Sequence, residues 1–305
     1  MTTMTSNMPE TDSRLDLQQL MRQKYRRRVI VGNIILAFVM AALVVALIPL
    51  LSIVISVIDR GSKVLSTAFL TQVQQDPFAF DPYAIGGVWN AIVGSLVMDG
   101  IAIGAAIPLG IFSGVILSDA KGKIGTTIHR IFDVMIGLPS ILFGLFVFFV
   151  LLGPVFNNAY SGMAGVIALT LMSIPLIAVA TESAISAVPP TLNEAGLALG
   201  ALPSRVMWNI KLPAARPAIL TGVLLALSRA VGETAPVLFV IGQSREANWN
   251  PAAEQSSLPT LTFQYLQGFF PSQREAAWGI ALILMTVVFL VNLTSRIISA
   301  RSQRG

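Results

Sequence analysis

Six apolar stretches, each long enough to cross a bilayer, dominate the 305-residue chain and leave no room for a large soluble domain. They fall at about 29–58, 88–118, 131–153, 163–182, 217–242 and 276–296. In hydrocarbon every backbone N–H and C=O must find its partner inside the protein, so such stretches fold as helices. Only 11% of the residues are charged, against about a quarter in soluble domains. The expected fold class is all-α: a polytopic membrane protein with six transmembrane helices. A pI near 9.9 points to nucleic acid in a soluble protein. Here the basic residues cluster beside the spans, so topology explains them and no nucleic-acid partner is expected.

Charge also sets the orientation. With the N-terminus inside, the basic residues on the cytoplasmic side are Arg14, Arg22, Lys24, Arg26, Arg27 and Arg28 in the tail, Lys121, Lys123 and Arg130 in the 119–130 loop, Arg205, Lys211 and Arg216 in the 183–216 loop, and Arg296, Arg301 and Arg304 at the C-terminus. The external side holds Arg60, Lys63, Arg245 and Arg274. Fifteen against four places both termini in the cytoplasm of a multi-pass cell-membrane protein. Residues 1–28 then form a basic tail, disordered up to about Arg14, and 29–58 the first span, with Pro49 as a kink site. This apolar run is about twice the length of a signal-peptide core and is expected to stay uncleaved. The segments 59–87 and 243–275 are external loops expected to form short helices on the outer surface. A core of five helices covers 88–296, and 297–305 is the C-terminal tail. Pro108 and Pro175 are expected to interrupt the second and fourth spans.

Several chemistries are excluded. The chain has no cysteine and a single histidine, His129, so thiolate or His-pair metal sites are absent and no metal is expected. No Ser has a fitting base, so hydrolytic catalysis has no candidate residues. No G-x-x-x-x-G-K-[ST] sequence occurs, so nucleotide hydrolysis, if any drives this protein, belongs to another chain.

The longest charged gap between spans contains EAGLALGALPSRVMWNIKLP, Glu194 to Pro213. Leu192 to Leu202 reads as a helix with Asn193 at its N-cap and Glu194 in the first turn. Gly200 permits a sharp bend, and Pro203 opens a second helical stretch. Leu212, Pro213 and Pro217 return the chain to the membrane. The stretch resembles the EAA loop of ABC importer permeases, E-A-A-x(3)-G-x(9)-I-x-L-P. Glu194, Ala195, Gly200, Ile210, Leu212 and Pro213 fall in register, and Gly196 stands where the third letter is usually Ala. The resemblance implies a type I importer permease fold. It also implies that this hairpin, Ala201 included, receives the stroke of a partner ATPase.

The fifth span carries LSRAVGETAPVL, Leu227 to Leu238. Arg229 and Glu233 are four apart and are expected on one helix face. A charge at mid-membrane costs at least about 2.5–3.5 kcal/mol, which is accepted where it meets a partner or a polar pathway. Pro236 lacks an N–H and is expected to free the carbonyl of Gly232, so that a guanidinium, a carboxylate, a loose carbonyl and Thr234 gather at one place. Asp99 in the second span and Glu182 near the end of the fourth are outlying pathway candidates. Asp133 is expected to begin the third span as a dipole-complementing acid, and His129 to be an interfacial residue.

R-x-x-G-E-T-A-P at Arg229, Gly232, Glu233, Thr234, Ala235 and Pro236 is similar to the signature of phosphate ABC permeases of the PstA kind, as is GLPSI at 137–141 followed by Gly144. One position departs from that pattern: an Arg usual in the fourth span is Val179 here. The resemblance implies a non-enzymatic subunit forming half of an inorganic phosphate pathway. It implies a second homologous permease, two ATP-binding subunits holding ATP and Mg, and an external phosphate-binding protein as partners, with no cofactor on this chain. The competing readings are a permease for another oxyanion, sulfate or molybdate, and an ion-coupled secondary transporter. The latter lacks support from inverted repeats or multiple acidic coupling sites.

Overall fold

The computed structural model describes residues 10–75, 86–120 and 122–302. Among these there is no strand. The helices are α1 (Glu10–Val64), α2 (Thr67–Thr71), α3 (Trp89–Asp119), α4 (Gly122–Gly137), α5 (Ile141–Phe146), α6 (Gly162–Ser186), α7 (Pro190–Ala198), α8 (Pro203–Val206), α9 (Leu212–Ala230), α10 (Leu258–Leu266) and α11 (Pro271–Ser302). One π-helical stretch, Val147–Leu152, continues α5, and a second, Met207–Lys211, joins α8 to α9. Five helices are long and apolar enough to cross a membrane. The pair α4 and α5 makes a sixth span bent by 104°.

The chain divides into two compact units, 1–56 and 57–305. The first is the long apolar part of α1, whose side chains from 28 onward are almost all exposed. An all-round apolar helix of this kind belongs in lipid. α1 begins at Glu10, so the stretch from 10 to 14 is helical rather than disordered, while 1–9 lie outside the described residues. Pro49 lies inside the continuous helix.

In the second unit α6 is the central element, packed against α3, α9, α4 and α5. Small residues let α3 and α6 approach: Ala102, Ala106, Ala164, Ala168 and Ala178 are buried. The Thr170 hydroxyl lies 2.7 Å from the Val166 carbonyl and 3.3 Å from that of Ala102. Pro108 and Pro175 both lie inside continuous helices, so neither interrupts its span. Helix–helix packing tolerates such prolines in membranes.

Three other boundaries differ from the hydropathy reading. The third span is not one helix over 131–153, because Leu138–Pro139–Ser140 breaks it, and the preceding 119–130 loop is mostly helix α4. Asp133 therefore sits near the C-terminal end of α4, exposed, where the dipole does not favour an acid. The fifth span starts earlier and stops sooner than 217–242. From Pro203 the chain is helical through the π turn to Ala230, and residues 231–257 fold back as an irregular segment. At the α2 end, α10 does not merely lie on the surface. Leu258, Leu261 and Tyr265 bury against Phe69, Ala276 and Ile280.

Candidate functional site

α9 ends where its sequence stops supporting it. Gly232 is a poor helix former, and the residue before Pro236 is driven away from helical angles. The last turn closes on tight bonds: Gly232 N–H donates to Arg229 O (3.4 Å) and Glu233 N–H to Ala230 O (3.2 Å). Arg229 and Glu233 therefore do not share a helix face. Arg229 is in the last turn, favourable for a cation at the negative dipole end, and Glu233 lies beyond it. Arg229 Nε donates to Glu233 Oε1 at 3.2 Å. The guanidinium side chain remains 49% exposed, the carboxylate 18%, so most of the arginine's donors stay available. Since no helix continues past Ala230, Pro236 frees no helical Gly232 carbonyl. Its own carbonyl carries a different contact, with Gly144 of α5. A Cβ built on Gly144 would lie inside contact distance of Pro236 O and 2.9 Å from its carbonyl carbon. Thr234 is half-buried, and its carbonyl accepts from Leu238 N–H at 3.1 Å.

Asp99 borders two spaces. One is an apolar cavity of about 520 Å³ between α3 and α11, with Leu227 and Val231 at the α9 end. The other has room for about one water and is shared with Glu233, Ser95 and Ser257. Two carboxyls from distant spans thus face one small space. No periodicity in the sequence signals that pairing. Glu182 is placed elsewhere: His129 Nδ1 lies 3.5 Å from its Oε1, tying α4 to α6. Neither residue approaches the Arg229–Glu233 pair through any contact of its own among the described residues.

The coupling-type hairpin is two helices around a left-handed bend. α7 runs Pro190–Ala198 with Pro189, not Asn193, at its N-cap. Gly200 has φ +76° with open space around it, a conformation that glycine alone adopts without strain. Pro203 opens α8 at its first position. Glu194 and Ala195 are exposed, Ala201 partly so. Gly196 is buried, because a Cβ there would meet Ile210 Cδ1 at 2.8 Å and Val206 Cγ2 at 3.0 Å. Ile210 therefore buttresses the hairpin from inside, and Leu212 and Pro213 belong to the first turn of α9 rather than to a break. Leu199 is 89% exposed and Leu202 67%. The motif register did not single out these two apolar tip residues.

Residues 106–304 match the family described as binding-protein-dependent transport system inner membrane component. The phosphate transport system permease protein PstA of Yersinia pestis is 33% identical over 96% of this chain and 95% of its own length. The phosphate transport system permease protein PstA 1 of Mycobacterium tuberculosis strain H37Rv is 34% identical, with 91% of each chain covered. Among solved structures, the bacterial alginate ABC transporter in complex with a pentasaccharide-bound periplasmic protein aligns over 88% of this chain and 94% of its own, with TM-score 0.63 and 15% identity. The MetNI methionine ABC transporter in an inward-facing form aligns over 75% and 99%, with TM-score 0.55 and 20% identity. These last two similarities speak to the fold alone.

Proposed function

The chain belongs to the binding-protein-dependent transport system inner membrane components, and from that premise we propose that it is the permease subunit of an ATP-driven importer for inorganic phosphate, lining half of the pathway. It is a multi-pass membrane protein and a transport subunit. The observation that carries the solute reading is the half-exposed Arg229 guanidinium, held by Glu233 where α9 stops. A planar fork of donors suits an oxyanion. Phosphate keeps a proton near pH 7 and donates it to Glu233. Sulfate has none, offers no donor to the carboxylate beyond the one Arg229 already supplies, and meets it as a like charge. Gly232, Thr234 and Pro236 shape the turn that presents the pair, and Asp99 borders the same space. Glu182 is assigned the more remote role of fastening α4 to α6.

The hairpin, with Glu194, Ala195, Gly200 and Ala201 at or near its surface, is the face offered to an ATP-binding subunit, and ATP with Mg is held there rather than here. A second homologous permease, two such subunits and an external phosphate-binding protein complete the assembly. Both termini lie in the cytoplasm. Moving one negative charge inward against an inside-negative potential costs about 2.3 kcal/mol per 100 mV, so accumulation requires an energy source. The decisive experiment uses the reconstituted complex with Glu233→Gln. We expect phosphate uptake to become sensitive to sulfate competition, and unchanged uptake with unchanged selectivity would remove this role. A photo-crosslinker at Ala201 should capture the ATP-binding subunit. Its failure to do so, together with uptake by this chain alone, would sink the importer reading.

A further inference from the structure

The segment from Val231 to Gly242 carries Glu233 and has no helix to hold it. At its far end backbone bonds hold it, Ser161 N–H to Val240 O at 3.1 Å and Gln255 N–H to Ile241 O at 2.9 Å, and nearer Glu233 its position is set by what presses on it. α5, the second half of the broken span, meets it at one backbone-on-backbone contact, Gly144 against the Pro236 carbonyl. α6 meets it from another side, where a Cβ on Gly165 would lie 2.6 Å from Ile241 Cγ2, 3.0 Å from Met98 Sδ of α3 and 3.5 Å from Val237 Cγ1. Behind these contacts Val147, Val237, Val240 and Ile241 are buried in one apolar cluster with Ala164 and Ala168. Close-packed interiors transmit displacement rather than absorbing it. The two contacts differ in kind. A side chain such as Ile241 can rotate or be truncated. The Pro236 carbonyl is present whatever residue stands at 236, three positions from Glu233.

We infer that Gly144 is a positioning residue for solute handling: the α5 half-span fixes the Pro236 carbonyl, and through it the place of Glu233 and its bond to Arg229. This deepens the proposed function and rests on it for the roles of Arg229 and Glu233. The geometric statement stands independently. Gly144 sets the position of 233–236 whether or not that segment touches phosphate.

The chain has no cysteine, so a single Thr234→Cys reports the segment's exposure through its rate of reaction with a water-soluble thiol reagent. In the assembled complex, Gly144→Ala is expected to change that rate at least threefold. In the Thr234 background it should raise the KM for phosphate at least tenfold while leaving basal ATP hydrolysis within twofold. Adding Pro236→Ala should not restore either value, because the carbonyl remains. Gly137→Ala, with open space at its Cβ, should leave both unchanged. If Gly144→Ala does not assemble, Gly165→Ala pushes the same segment from α6. It should shift the thiol rate and KM as well. Normal thiol rate and KM in the assembled Gly144→Ala complex would overturn the inference, as would equal damage from Gly137→Ala. Where only Gly165→Ala assembles, a normal thiol rate and KM in that variant would overturn it too. A changed thiol rate in a protein where Arg229→Ala and Glu233→Gln both transport normally would uphold the positioning and refute the solute role instead.

Discussion

Lysine cannot replace arginine at position 229 on the grounds of charge alone. Arg229 spends Nε on Glu233, and the other guanidinium donors lie in one fixed plane on a side chain that is half exposed. An ammonium has three donors on one atom but no planar fork, so it cannot hold the carboxylate through one nitrogen while presenting a bidentate pair to the solute. Arg229→Lys should therefore lower phosphate uptake by at least about tenfold, 1.4 kcal/mol, with the complex intact and basal ATP hydrolysis retained. Uptake in vesicles loaded with ATP checks this, and full activity would show that charge suffices. Gly196 gives the opposite case. Its Cβ would meet the far end of Ile210, a side chain able to yield. Gly196→Ala, the usual residue of the motif, should cost less than about 1.5 kcal/mol in thermal unfolding, and Ile210→Val should recover part of it. The two residue types at 229 and 233 were legible in the sequence, because charges inside an apolar run stand out. Their relation was not. A spacing of four means a shared face only while the helix lasts, and α9 ends one residue after Arg229.

Among the elements, hydropathy located every span and misplaced the breaks. Window averages respond to apolar content, and Gly137–Leu138–Pro139–Ser140 is apolar enough to hide a 104° bend inside a continuous-looking span. Pro139 was the visible signal. Pro108 and Pro175 sent the same signal and broke nothing, because α3 and α6 pack their lengths together and hold the helices through. Pro139 breaks its span although α4 and α5 both pack on α6, and Pro49 sits unbroken in the exposed α1, so a proline alone does not mark a break. The hairpin was readable as two helices and a bend, since Gly200 and Pro203 each demand a specific backbone. The tip was not readable, because exposure of Leu199 and Leu202 follows from the bend and not from the motif. On the importer reading proposed above, an apolar side chain 89% exposed beside the Gly200 bend is the contact expected to enter the ATP-binding subunit. Leu199→Asp should weaken association with the ATP-binding subunit by about 2 kcal/mol, roughly thirtyfold, in a titration of the detergent-solubilised permease. Far-ultraviolet circular dichroism should not change. Unaltered affinity would place the docking contact elsewhere on the hairpin.

For the whole molecule, the importer reading requires the hairpin end to face the cytoplasm, since an ATP-binding subunit would reach it from that side alone. Lys123 and Arg130 lie in α4, Arg205 in α8, Lys211 in the π turn that follows it and Arg216 in the first part of α9, whereas the α2–α10 end carries few basic residues. Translocation of short basic loops is disfavoured, so this asymmetry predicts, independently of any motif, that the hairpin end faces the cytoplasm. The two arguments use different residues and must agree if the importer reading holds. Single cysteines at Thr126 in α4 and Gln267 after α10, both exposed, separate the two ends in a chain that otherwise has no thiol. In right-side-out vesicles an impermeant maleimide should label Gln267→Cys at least about tenfold faster than Thr126→Cys, and inside-out vesicles should reverse the order. Labelling of Thr126→Cys from the outside would put the hairpin beyond the reach of cytoplasmic ATP. The fold would remain, but the stroke that drives it would have no route in.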